Sequence, residues 1–126
     1  MITQKGALKT ALTASALFAG GEMLALANPE GVDLLITRAV LDITTPATGA
    51  ANADVGVAAD ATTSADTLID GVDVGTAAAI FDNIDDQGAN GEATLLWPAD
   101  EFVTVTGSAS TAGLAGDLFL QYIRRD

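Results

Sequence analysis

The sequence predicts an all-β fold, a compact β-sandwich or jelly-roll-like barrel. Three observations predict it. Six or seven short strand-like runs dominate after residue 21, and turn chemistry separates them at regular intervals. The chain holds only six aromatic residues among 126, so its core has to be built mainly from Leu, Ile, Val and Ala. A chain of this length suits one domain.

Glu22–Ala27 is the first strand candidate of the body. Asn28-Pro29-Glu30-Gly31 follows as a turn, with proline presetting one backbone angle and Gly31 free to take a positive one. "DLLITRAVLDIT", Asp33–Thr44, carries the clearest strand signal. A strict period of two puts Leu35, Ala39, Leu41 and Ile43 on one face, and Leu34, Ile36 and Val40 beside Arg38 and Asp42 on the other. "TTPATGA" ends that strand, and Ala53–Ala58 offers a short one. "ADATTSAD" reads as a loop, and Leu68-Ile69 as a brief strand entering the Asp70-Gly71 turn.

Thr76–Asn83 predicts one or two helical turns with Thr76 as N-cap. Asn90-Gly91 is a tight-turn signal ahead of "EATLLWPA" and "EFVTVTG", in which Val103 and Val105 alternate with Phe102, Thr104 and Thr106. Residues 107–113, rich in Gly, Ser, Ala and Thr, read as a flexible loop. The last strand, Asp117–Arg124, sets Leu118, Leu120 and Tyr122 on one face against Phe119 and Ile123 on the other.

Residues 1–21 read as a separate N-terminal arm before a body at 22–126. Lys5 and Lys9, an apolar run and Ala25-Leu26-Ala27 mimic a secretory signal peptide. The run is interrupted by Gly20-Gly21-Glu22 and is short on strong hydrophobes, so we expect it to stay in place. It is also far short of the ~20 apolar residues that a membrane span needs.

Charge narrows the function classes. Seventeen acids against five bases give a net charge of −12, which repels nucleic acid and anionic membranes, so neither is an expected partner. The chain has no cysteine and no histidine. That removes Ser-His-Asp and Cys-His nucleophilic sites, ordinary zinc sites and disulfides. The densest acidic stretch, "DNIDDQGANGE" at Asp82–Glu92, misses the EF-hand spacing, because a loop starting at Asn83 places Thr94 where a bidentate glutamate belongs. "TGSASTAGLAG" lacks the lysine and spacing of a phosphate loop. One Trp and one Tyr are a thin supply for a sugar-stacking groove between paired acids. No enzymatic activity, metal or cofactor is expected.

Two residues of the body stand out as interface candidates. Arg38 is the one base between residues 21 and 123, suited to anchoring a contact or to pairing with a nearby Asp across strands. Trp97, ahead of Pro98, suits a contact patch or packing against the core.

"NPEG", "LITRAVLD", "TTPATGA", "DVGVA", "LIDGVDVG", "FDN" and the closing "GLAGDLFLQYIRR" together resemble a group of small head decoration, or cement, proteins of tailed bacteriophages, over residues 28–124. The resemblance implies a compact body, sandwich, jelly-roll-like or β-tulip-like, on the outer surface of the virion. There it would bind the major capsid protein and tie neighbouring subunits together, often as a trimer. Apolar residues on both faces of Asp33–Thr44 and Asp117–Arg124 also point to self-association. In this setting the N-terminal arm becomes a docking element. Lys5 and Lys9 would meet acidic groups on the shell, while Leu8, Leu12, Leu17 and Phe18 fill apolar grooves, and loss of residues 1–20 would leave the body folded. The alternative reading is an exported carbohydrate- or calcium-binding β module.

Overall fold

The computed structural model describes residues 5–15 and 21–125. Nine antiparallel strands form among them: β1 (Lys5–Ala11), β2 (Gly21–Ala27), β3 (Leu34–Thr45), β4 (Asn52–Ala58), β5 (Ile69–Asp73), β6 (Ala79–Asp82), β7 (Leu95–Trp97), β8 (Phe102–Gly107) and β9 (Ala115–Arg124). The front sheet runs β1-β9-β3-β6, with β7 on the same edge of β3 as β6; the back sheet runs β2-β8-β4-β5. β1 pairs with β9, β2 with β8, β3 with β6 and β7, and β4 with β5. This nesting is a long hairpin wrapped into two sheets, the order of a jelly roll.

The front sheet's inner face supplies Leu34, Ile36, Ala39, Leu41, Ile43, Leu118 and Leu120; the back sheet supplies Met23, Val55, Ile69, Val103 and Val105, all buried. Trp97 and Tyr122 are the buried aromatics of this core, as the scarcity of aromatic residues requires. The indole fills the interior and satisfies its N–H by donating to the Glu101 carbonyl at 3.0 Å, as a buried indole must.

Four expectations are corrected. The first concerns β3. Its pairing with β9 shifts between Ile36 and Arg38, so Thr37 is an extra residue in the strand. Such a bulge reverses the in–out parity beyond it. Leu34 and Ile36 therefore point inward together with Ala39, Leu41 and Ile43, and Leu35 points outward.

The second concerns Thr76–Asn83, which contains no helix. Asp73 fastens the preceding bend by accepting from the Gly75 N–H at 2.9 Å and the Thr76 hydroxyl at 2.6 Å, and Ala79–Asp82 then pairs with Ile43–Val40 of β3. One or two isolated helical turns cannot repay their nucleation cost, whereas the open edge of β3 offers a ready ladder.

The third concerns the arm. Lys5–Ala11 is a strand that matches β9 residue for residue from Ile123 to Asp117. Its even positions, Gly6, Leu8 and Thr10, face inward and are half-buried. Gly6 lies under the Tyr122 ring, where an added Cβ would sit 2.6 Å from ring atoms, so only glycine fits. Leu12 follows as a core residue at 9% exposure, and Thr13 donates its N–H to the Met23 carbonyl at 2.9 Å. The segment is part of the sandwich.

Residues 107–113 are fastened as well. Buried Thr111 donates its N–H to the Ser15 carbonyl at 2.7 Å, its hydroxyl accepts from the Ser15 N–H at 2.9 Å, and Ser108 donates its N–H to the Asn52 carbonyl at 2.8 Å.

Leu12→Ala tests the corrected role of the N-terminal segment. Deletion of a buried leucine side chain costs about 2–5 kcal/mol, so the urea midpoint is expected to fall clearly. An unchanged midpoint would mean that Leu12 is a docking residue outside the core.

Candidate functional site

The two outer faces of the sandwich differ. Over the back sheet, the chain between β4 and β5 lies across the strands. Ser64 and Thr106 share a hydroxyl hydrogen bond at 2.6 Å, and the Thr104 hydroxyl donates to the Thr63 carbonyl at 3.1 Å. Gly56 admits this strap, since an added Cβ would meet the Ala65 and Thr67 backbone at 2.7 Å. Thr104 and Thr106 are consequently buried on what would otherwise be a solvated face.

The front sheet's outer face is open. Register places Lys5, Ile123, Leu35 and Leu96 in one row across the strands. Lys9, Phe119, Val40 and Asp82 form another, and Ala11, Asp117, Asp42 and Ile80 a third. Ile80 is 70% exposed, Ile123 41% and Leu96 37%. These are three of the four large hydrophobic residues exposed among the described residues, so the exposure is gathered on one face. Lys9 holds its ammonium 5.6 Å from the centre of the Phe119 ring, a cation–π contact that partly covers the aromatic.

The predicted site residues divide accordingly. Lys5 and Lys9 lie on this open face. Leu8 and Leu12 do not, because they pack inward against the chain's own core; a side chain turned into the sandwich cannot fill a groove on a partner. Leu17 and Phe18 lie outside the described residues. Arg38 lies on the face and pairs with Asp82 at 3.2 Å, the cross-strand role weighed for it above. Trp97 is fully buried and forms no surface patch. Reasoning from the sequence missed Ile80 and Leu96, whose signal is their register opposite Asp42 and Leu35.

The acidic stretch after β6 is tied up internally. The Asp82 carboxylate accepts from the Ile84 N–H at 2.7 Å and the Asp85 N–H at 2.8 Å, and these backbone donors, that of Asp85 foremost, hold its carboxyl below the usual range. Asn83, fully buried, accepts from the Ala39 N–H at 2.8 Å and donates to the carbonyls of Glu92 and Ala93 at 3.1 and 3.0 Å. Asp70 accepts from the Ala89 and Asn90 N–H groups, both at 3.2 Å. No group of three or more acidic side chains is placed to hold a metal ion among the described residues. Burial, chiefly, raises the Asp54 carboxyl, with Asp70 and Asp66 adding to it.

A shallow groove of about 450 Å³ opens beside the Thr37 bulge, between Lys5, Gly6 and Ala7 of β1 and Gln121–Ile123 of β9. It carries one charged group, Lys5, and no acid–base pair. No family model, curated protein or solved structure matches the chain.

Tyr122 gives the region a measurable pH dependence. Its hydroxyl donates to a Glu30 carboxylate oxygen at 2.9 Å. Burial first, then the Glu30 carboxylate, raises its pKa above the ordinary value of 10.0. The folded state therefore holds this proton more tightly than the unfolded chain does. The resulting stability is complete below pH 10 and is lost as the pH rises through the higher folded value. The stability advantage of the wild type over Tyr122→Phe is expected to shrink above pH 10 in urea titrations. A constant difference from pH 8 to pH 11 would contradict this.

Proposed function

We propose that this chain is a structural virion protein, a capsid decoration protein that binds the outer surface of a phage head and bridges major capsid protein subunits. The observation that carries the reading is the open front face, with Leu35, Leu96, Ile123, Phe119, Val40 and Ile80 turned outward. A decoration protein acts through contact area and shape, and a sheet face that leaves Ile80, Leu96 and Ile123 exposed is a surface suited to contact with other protein.

The sequence resemblance supports the same reading, and the chain's acidity restricts its partners to surfaces that are not themselves strongly anionic. The jelly-roll order by itself assigns no function. The alternative of a calcium-binding module draws no support from the acidic stretch, where the Asp82 and Asp86 carboxylates are already engaged by backbone N–H groups. Self-association belongs to the proposal, since shell-bound copies that touch one another add contact area.

Expression of a tagged chain in phage-infected cells, followed by purification of intact heads on gradients, tests the proposal. The chain is expected to travel with the heads in a fixed ratio to the major capsid protein and to raise the temperature at which they open. A chain found only in the soluble fraction, with heads equally durable without it, would overturn the reading.

A further inference from the structure

We propose that Asn90 is a latent modification site: its side-chain amide is open to attack by the Gly91 nitrogen, and the hydrogen bonds that pin the turn hold that reaction off. Each opening of the loop between β6 and β7 can then be fixed in the chain as a permanent change of charge. The turn lies outside the strands of the front face, so nothing in the inference depends on what covers that face.

Asn90 stands exposed at the turn, directly before Gly91. Glycine has no side chain to shield its backbone nitrogen. Once that N–H gives up its proton, the nitrogen can bond to the Asn90 Cγ and close a five-membered imide. The bond from Cγ to the side-chain nitrogen breaks, and ammonia leaves with the proton. Water then adds to either imide carbonyl, giving aspartate, or isoaspartate with the backbone rerouted through the side chain. Only water is consumed. The fold needs the glycine all the same, because an added Cβ at residue 91 would sit 2.5 Å from the carbonyl oxygens of Gln87 and Leu68.

Three contacts keep the nitrogen and the amide apart. The Gly91 N–H donates to the Gln87 carbonyl at 2.8 Å, which keeps its proton in place. The Asn90 side-chain amide donates to an Asp66 carboxylate oxygen at 3.0 Å, and its backbone N–H donates to Asp70 at 3.2 Å. Glu92 continues the anchoring, its N–H donating to the Thr67 carbonyl at 2.9 Å. Reaction is thus confined to molecules in which this loop has opened.

The product does not fit the closed loop. An ionised carboxylate at position 90 has no proton to give Asp66, and it stands beside the charges of Asp66 and Asp70. Burial first, then Asp70 and Asp66, already raises the Asp54 carboxyl, so this corner is crowded with negative charge before the change.

Peptide mass mapping of the full chain, held at mildly alkaline pH with and without urea, tests this. In urea, Asn90 is expected to convert to aspartate and isoaspartate, while Asn52 and Asn83, which precede Ala53 and Ile84, keep their amides. In the native chain, conversion should be slower by at least about tenfold. Asp66→Ala should speed native conversion by about threefold to tenfold, the factor carried by one hydrogen bond to a charged group. Glu92→Gln, which removes a charge from the same loop but no bond to Asn90, should not. Asn90→Asp should lower the urea midpoint, and by less as salt rises. Equal rates with and without urea, an Asn90 amide as durable in urea as that of Asn52, an Asp66→Ala chain no faster than Glu92→Gln, or an unmoved midpoint in Asn90→Asp would overturn the proposal. None of these readouts involves a phage head.

Discussion

The ladder around β9 is the interaction on which the rest of the structure depends. β9 is paired along both edges, with β3 from Leu34 to Thr45 and with β1 from Lys5 to Ala11. Its inner row, Leu118, Leu120 and Tyr122, sits at the centre of the core. The last strand of the chain thus holds the first, and neither edge of β9 is left to solvent. Because these contacts join opposite ends of the sequence, the front sheet can close only after most of the chain is present. Contacts of such sequence separation carry a loop-closure entropy cost and, across proteins, go with slower folding.

Pairing with β9 also determines what the first segment can do. Once β1 is in the sheet, its odd positions turn Lys5 and Lys9 outward and its even positions turn Leu8 inward. The same residues that suggested a free arm become an edge of the open face. The two lysines bring the only positive charge to that face besides Arg38, and without them it would share the acidity of the remaining surface. Charge placement and strand placement are therefore one constraint. A residue-level change in register at β1 would bury the lysines and expose the leucine.

Much of the fold was legible. The runs at 22–27, 53–58, 102–107 and 117–124 alternate clearly and are strands, and the all-β class followed from them. What was hidden is nonlocal. Nothing in "LLITRAVLDIT" marks Thr37 as an extra residue; the bulge is defined by its partner Tyr122-Gln121, so the inward face of β3 was misassigned at Leu34, Leu35 and Ile36. Ala79–Asp82 is a strand because β3 has an open edge, not because four residues favour one. "KGALKTA" has a single strong hydrophobe, too little for periodicity to register against the basic, signal-like appearance of the segment. Arg38 and Trp97 were recognised as notable, and their ordinary roles, a cross-strand ion pair and a core indole, are what the structure shows.

The central claim, that the first strand is locked to the last and so creates the open face, is tested most directly by amide hydrogen exchange on the full chain. Alternate amides of Lys5–Ala11, those that bond β9 in an antiparallel ladder, should be protected, and should exchange at rates within about tenfold of the β9 amides facing them. Exchange of the whole Lys5–Ala11 segment at unprotected rates, with β9 still protected on its β3 side, would contradict the account and restore a free arm.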